Sequence, residues 1–148
     1  MYEANDDGLT IYGQCDVASS DFFALNQRGY IYAQQTGTYT FSASNIDDIV
    51  ELWIGPTAYA GWSRANANLD QAIFQTVSPL TTDLTAGNYY PIRIVFGQAQ
   101  GAAAFQMTVT APDGTTFLGP NSGASPYLVS YSCDGQTAPQ FPPFGAEP

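Results

Sequence analysis

The chain has 148 residues, enough for one domain, and sets 13 acidic side chains against three arginines, with no lysine and no histidine, for a formal net charge of −10. That balance excludes the basic footprint a nucleic-acid binder needs and any attraction to an anionic membrane surface. It also removes Ser-His-Asp and Cys-His catalysis, imidazole-based zinc sites and Schiff-base chemistry, leaving hard oxygen ligands and many aromatic rings.

Met1 leads straight into Tyr2-Glu3-Ala4-Asn5-Asp6-Asp7 without the apolar stretch of a signal peptide, so the start reads as that of a trimmed domain. Strands are expected at 9–13 and 28–33. Tyr39, Phe41 and Ala43 then alternate with Thr38, Thr40 and Ser42, a period of two rather than 3.6. Further strands are expected at 48–54 and 71–77. The alternation returns at Tyr90, Ile92, Ile94 and Phe96, and again at Phe105, Met107, Val109 and Ala111. Short strands at 115–118 and 127–132 complete the set. Turn chemistry punctuates them at Thr36-Gly37, Gly55-Pro56, Ala86-Gly87 and Pro112-Asp113-Gly114. Helical periodicity and internal repeats are absent, and no apolar run approaches a membrane span of about 20 residues. The pattern predicts an all-β fold, a two-sheet antiparallel sandwich of jelly-roll type. One domain over 1–135 is expected, with 136–148 a Pro-rich linker or a strap over the sandwich.

Cys15 and Cys133 lie near opposite ends of the chain and read as a disulfide closing the domain, which in the chain-entropy model is worth roughly 4–5 kcal/mol. Two unrelated buried thiols are the alternative. No Asn-x-Ser/Thr sequon occurs to mark secretion independently. Two long connections stand out, since rigid sandwiches carry function on loops. One runs from Gly55 to Asp70 and holds Tyr59, Trp62, Arg64, Asn66 and Asn68. The other, Gly97 to Ala104, is made almost wholly of small residues.

Asp47 and Asp48 are the most informative residues. Adjacent carboxylates at the mouth of an apolar strand repel each other and lose hydration, which a bound cation would offset. Neighbours in a regular strand point to opposite faces, whereas a cis peptide between them would place both on one side. Calcium suits such a site, because it accepts carboxylates, amide oxygens, carbonyls and water together. A solvated loop pair is the plain alternative.

The stretch Thr36-Gly37-Thr38-Tyr39-Thr40-Phe41-Ser42, then Asp47-Asp48, then Leu52-Trp53-Ile54-Gly55, resembles one family, as does Ala86-Gly87-Asn88-Tyr89-Tyr90-Pro91-Ile92-Arg93-Ile94-Val95-Phe96. The chain resembles a GLEYA-type adhesin domain over residues 21 to about 133. This is the fungal branch of the lectin fold named after the anthrax protective antigen, with yeast flocculins and epithelial adhesins as relatives. The resemblance implies a sandwich that binds glycans through calcium, with Asp47 and Asp48 joined by a cis peptide and ligating both ion and sugar hydroxyls. It places the second loop's amide ligand on Gln98 and its two carbonyl ligands on Gln100 and Ala102. Gln98 stands where the family has asparagine, so calcium could be shifted, weakened or lost.

That loop also lacks the aromatic ring some relatives place over the sugar. Trp62 is the alternative platform, or else a loop anchor. Arg64, Asn66 and Asn68 are candidate donors to hydroxyls, or ordinary loop polar groups. Trp53 reads as packing within a strand. Arg93, between Ile92 and Ile94, should point to the opposite face and pair with a carboxylate.

The expected function is a calcium-dependent lectin domain of a secreted, wall-anchored fungal adhesin, monomeric and acting multivalently. Its partner would be a glycan ending in galactose, mannose or N-acetylglucosamine, with no reaction catalysed. The alternatives are a structural or homotypic wall module without sugar binding, and a small glycoside hydrolase. The hydrolase needs two carboxylates about 5–10 Å apart with separate roles, and among Asp47, Asp48, Glu51, Asp70 and Asp83 no such pair stands out.

Overall fold

The computed structural model describes residues 9–11, 14–17, 21–120 and 122–147, with side chains from Asp21 onward. Strands β1 (Leu9–Ile11) and β2 (Gln14–Val17) pair in a separate two-stranded ribbon. The body consists of β3 (Phe23–Tyr32), β4 (Gly37–Asp47), β5 (Ile49–Ile54), α1 (Pro56–Tyr59), a 3-10 turn at Arg64–Asn66, β6 (Leu69–Ala72), β7 (Leu80–Leu84), β8 (Tyr89–Gln98), β9 (Ala104–Thr110), β10 (Thr116–Leu118) and β11 (Leu128–Val129). Two antiparallel sheets result, with orders β10-β9-β4-β7 and β11-β3-β8-β5-β6. This is the all-β sandwich the alternation predicts.

The faces follow from the period of two. Tyr39 and Phe41 on β4 and Met107 and Val109 on β9 turn inward, against Ile31, Leu52, Ile92 and Ile94 of the other sheet. Each such side chain, fully buried, contributes about 1.5–3 kcal/mol. Threonines and serines of β4 alternate with them on the outer face.

Several elements differ from expectation: β2 was not foreseen, β11 is only two residues long, and three further differences bear on the body of the sandwich. Strand β3 starts five residues early, because it pairs with β8 continuously from Phe23↔Gln98 to Tyr32↔Tyr89. Strand β7, Leu-Thr-Thr-Asp-Leu, was not expected; pairing with β4 orders this polar edge strand. The strand expected at 71–77 forms earlier, as β6, and stops at Ala72.

The outer face of the five-stranded sheet is covered too. Trp53, Arg93 and Arg28 lie in one cross-strand row. Residues 138–147 run over that row. Ala138 is buried, the Tyr30 hydroxyl donates to the Pro139 carbonyl at 2.6 Å, and Phe141 packs on Tyr30 and Tyr59. Arg93 is fully buried and pairs with Glu147 at 2.7 Å, the carboxylate partner its position called for. Cys133 is exposed, and Cys15, the other half of the expected disulfide, lies outside the residues whose side chains are described.

Gly29 of β3 permits the approach of β11: a Cβ there would lie 2.7 Å from the Val129 carbonyl oxygen. Backbone cannot swing aside as a side chain can. Gly29→Ala is therefore expected to cost about 1–3 kcal/mol, read as a lower urea midpoint with an unchanged slope.

Candidate carbohydrate site

Strand β4 ends in an irregularity. Its register with β9 shifts between Ser44 and Asp47, and Asn45 sits at φ 51°, a left-handed conformation asparagine tolerates. Ile46, buried below, pins the distortion to the core. The next peptide, Asp47–Asp48, is cis. The two carboxyl groups come within hydrogen-bonding reach of each other. Burial first, then the charge of Asp48 and that hydrogen bond, push the Asp47 carboxyl above its usual range.

Three other segments converge here. The Asp48 backbone N–H donates to the Gly97 carbonyl at 3.3 Å, and its carboxylate accepts from the Ala99 N–H at 2.5 Å. Both contacts fasten the β8–β9 loop to the pair. The Asp48 carbonyl accepts from the Ile73 N–H, which brings in the connection after β6. The start of β3 follows, with the Phe22 N–H donating to the Ala99 carbonyl at 2.7 Å and Asp21 accepting from the Gly101 N–H at 2.9 Å.

Gln98 lies within this convergence and is buried. Its Nε2 donates to the Ala102 carbonyl at 3.0 Å and the Gly101 carbonyl at 3.3 Å, while its buried Oε1 has no partner. A buried oxygen without a donor is costly unless something electropositive meets it. Gln100 is exposed on the same loop. None of the three arginines serves the aspartate pair: Arg28 and Arg93 bind Glu147, and Arg64 binds Asp70 and Glu51. Among the described residues no group of three or more carboxylate or thiol side chains is placed to hold a metal ion. A cation here would rest on two carboxylates and neutral oxygens. Asp47, Asp48 and the orphaned Gln98 Oε1 fit a hard divalent ion.

The structure does not bring the 55–70 connection to this place. Strand β5 leaves Asp48 at Ile49 and reaches Ile54 about 17 Å further on, so the connection departs from the far end of the sheet. There Trp62 meets Trp53 edge-to-face at 5.5 Å and covers the Arg93 guanidinium at 4.5 Å, with its Nε1 donating to Glu147. It acts as a loop anchor. Asn66 accepts from the Trp53 indole at 2.9 Å and from the Ser63 N–H, and donates to Gly61. Asn68 accepts from the Ile54 N–H, and Arg64 lies back along the sheet on Asp70. Of the candidates left open between sugar contact and loop packing, Trp62 and Asn66 thus make their contacts at the far end of β5, and Arg64 reaches back only to Glu51 and Asp70.

A ring that the sequence reading passed over stands near the aspartates. Phe74 follows Ile73 in a tight turn closed by Gln75, which donates to the Ala72 carbonyl through its backbone and accepts from the Ala72 N–H through its side chain. Phe74 is 98% exposed with φ 63°. For a bulky residue that conformation is an outlier, of the kind that clusters at functional sites. No signal in the sequence marks it, because the apolar residues around it suggest a strand that continues through it.

A two-sheet sandwich with a carboxylate pair at one end, fed by loops from both sheets, is the form of a lectin-type adhesin domain. The chain belongs to the GLEYA domain family, whose model matches residues 23–111. It is 29% identical over 123 residues to flocculation protein FLO1 of Saccharomyces cerevisiae, an alignment covering 74% of this chain and 8% of that protein. It is 27% identical over 118 residues to the putative cell agglutination protein pfl4 of Schizosaccharomyces pombe, covering 74% of this chain and 18% of that one. The chain thus spans only a small part of these relatives. Among solved structures, the fold is similar to the epithelial adhesin 6 A domain of Candida glabrata in complex with Galb1-3GlcNAc. That match has a TM-score of 0.67 at 23% identity and covers 90% of this chain and 64% of the other. The epithelial adhesin 9 A domain in complex with Galb1-4GlcNAc gives 0.58 at 19%, covering 77% and 60%.

Proposed function

We propose that this chain is the calcium-dependent, non-catalytic glycan-binding domain of a fungal cell-surface adhesin, reading a terminal galactose. The observation that carries the proposal is the Asp47–Asp48 pair itself: two carboxylates in mutual contact, all three arginines engaged elsewhere, and a buried amide oxygen at Gln98 awaiting a positive partner. Asp47, Asp48 and Gln98 would hold the ion, with carbonyls of the 100–102 segment nearby. When bound, the ion supplies positive charge and open coordination positions for vicinal hydroxyls. The aspartates also accept hydrogen bonds from those hydroxyls. The Ala99 N–H holds the Asp48 carboxylate in place, and Ile46 holds the distorted end of β4. Galactose is the first choice because the similar adhesin domains were solved with galactose-ended disaccharides. A secreted, wall-attached location accords with the flocculation and agglutination relatives. Adhesion by many copies would compensate for weak single-site affinity.

Phe74 gives the site an apolar wall. Covering one face of its ring with a pyranose is worth about 1 kcal/mol, so Phe74→Ala is expected to weaken galactoside binding about fivefold without moving the thermal midpoint. Calorimetric titration with lactose reads the first, and differential scanning fluorimetry the second. The proposal as a whole is tested on a glycan array. Binding to galactose-ended glycans should vanish with chelator and return with calcium. Binding that ignores the chelator would overturn the calcium assignment, and no glycan binding under either condition would overturn the lectin reading.

A further inference from the structure

Phe22 is 73% exposed and, like Phe74, sits at positive φ, 56°. Exposure of a large apolar ring in a strained conformation needs a reason that packing does not supply. The position is held firmly. Phe23 is the register partner of Gln98, so Phe22 lies one step beyond it. Its N–H donates to the Ala99 carbonyl, and Ala99 in turn donates to the Asp48 carboxylate. Asp21 fixes the preceding residue to Gly101. One residue therefore separates Phe22 from the carboxylate pair, on the flank opposite the connection that carries Phe74. The intervening loop exposes Ala99, Gln100, Gly101 and Ala102. Apart from Gln100, whose long polar side chain could meet sugar hydroxyls, these side chains are small and leave a low floor between the carboxylates and Phe22.

We infer that Phe22 is the aromatic wall of a second sugar subsite. A terminal sugar engages Asp47 and Asp48, and the next pyranose of the glycan crosses the 99–102 floor to lay its C–H face on the Phe22 ring. The inference rests on the lectin reading above and specifies its ligand as a disaccharide or longer. Phe22 would then distinguish a disaccharide from its own terminal sugar, which Asp47, Asp48 and Phe74 do not.

The test is an NMR titration of the whole chain, in calcium, with methyl β-galactoside and separately with lactose. Phe22→Ala is expected to weaken lactose binding about three- to tenfold while leaving the galactoside within about twofold of the parent. Phe22→Trp should restore lactose binding. Phe144→Ala, removing another exposed ring in the C-terminal segment, should change neither. Saturation transfer to the glucose protons of lactose should fall selectively in Phe22→Ala. Equal losses for both sugars would place Phe22 at the terminal sugar and overturn the second subsite. No loss for either would reduce it to an exposed ring without a ligand. If the parent chain binds neither sugar in calcium, the lectin reading itself fails and this one falls with it.

Discussion

Replacing both Asp47 and Asp48 with alanine is expected to abolish calcium-dependent glycan binding while leaving the chain folded. Contacts to a charged acceptor are worth about 1.5–3 kcal/mol each, so losing two of them should weaken sugar binding by about a hundredfold or more. The fold should tolerate the change, because the pair repels itself and no arginine depends on it. Removing two like charges from a contact ought even to raise the melting temperature of the metal-free protein. Calorimetry with calcium and then lactose, beside a melting curve, separates the outcomes. Asp48→Asn is the finer variant: its amide can still accept from Ala99 but brings no charge, so a calcium defect with an intact loop isolates electrostatics from positioning.

The largest stability effect is expected at the other end of the sheet. Glu147 accepts from Arg93 at 2.7 Å and Arg28 at 2.6 Å, and also from the Trp62 indole. Arg93 is fully buried, with its remaining donors on the Ala58 carbonyl and the Asn26 side chain. Glu147→Ala strands a buried guanidinium, and breaking such a pair from one side costs about 3–5 kcal/mol. Glu147→Gln should cost less, since it keeps an acceptor. Urea unfolding measures both. Sugar binding in the folded variants should be unchanged, because the row lies at the far end of β5. The same group gives a pH signature. Burial raises the Glu147 carboxyl, but the hydrogen bonds from Arg93, Arg28 and Trp62 outweigh it and hold the group below its usual range. A depressed folded value means the stabilisation is complete above the ordinary glutamate range near about 4.3 and is lost as pH falls through the depressed one. The acid limb of the stability curve should therefore flatten in Glu147→Gln.

The sheets were legible because alternation is a local signal: Tyr39 and Phe41 face inward for the same reason they occur every second residue. The Asp47–Asp48 pair was legible too, since adjacent carboxylates at a strand mouth are chemically uncomfortable in any fold. The aromatic ring proposed to wall the site was not. Phenylalanine reads as core wherever it stands, and Phe74 fell within a stretch whose apolar residues suggested a longer strand. What ended that strand was a turn stitched by Gln75, a contact that composition does not announce. Trp62 was open between sugar platform and loop anchor, and its contacts are those of an anchor. An exposed-looking loop tryptophan proved to be the lid of a buried arginine, and that arginine's carboxylate lies 54 residues away in sequence. Distance along β5, rather than residue type, decides which loop reaches the aspartates.

Calcium at the carboxylate pair is what the proposed sugar binding depends on. The direct measurement is isothermal titration of the metal-stripped protein with lactose, first in chelator and then after calcium is restored. The expected result is no heat of binding in chelator, one calcium bound per chain with Asp47 and Asp48 intact, and sugar binding only once that calcium is present. Lactose binding of equal strength in chelator, or a chain that takes up sugar but no calcium, would contradict it.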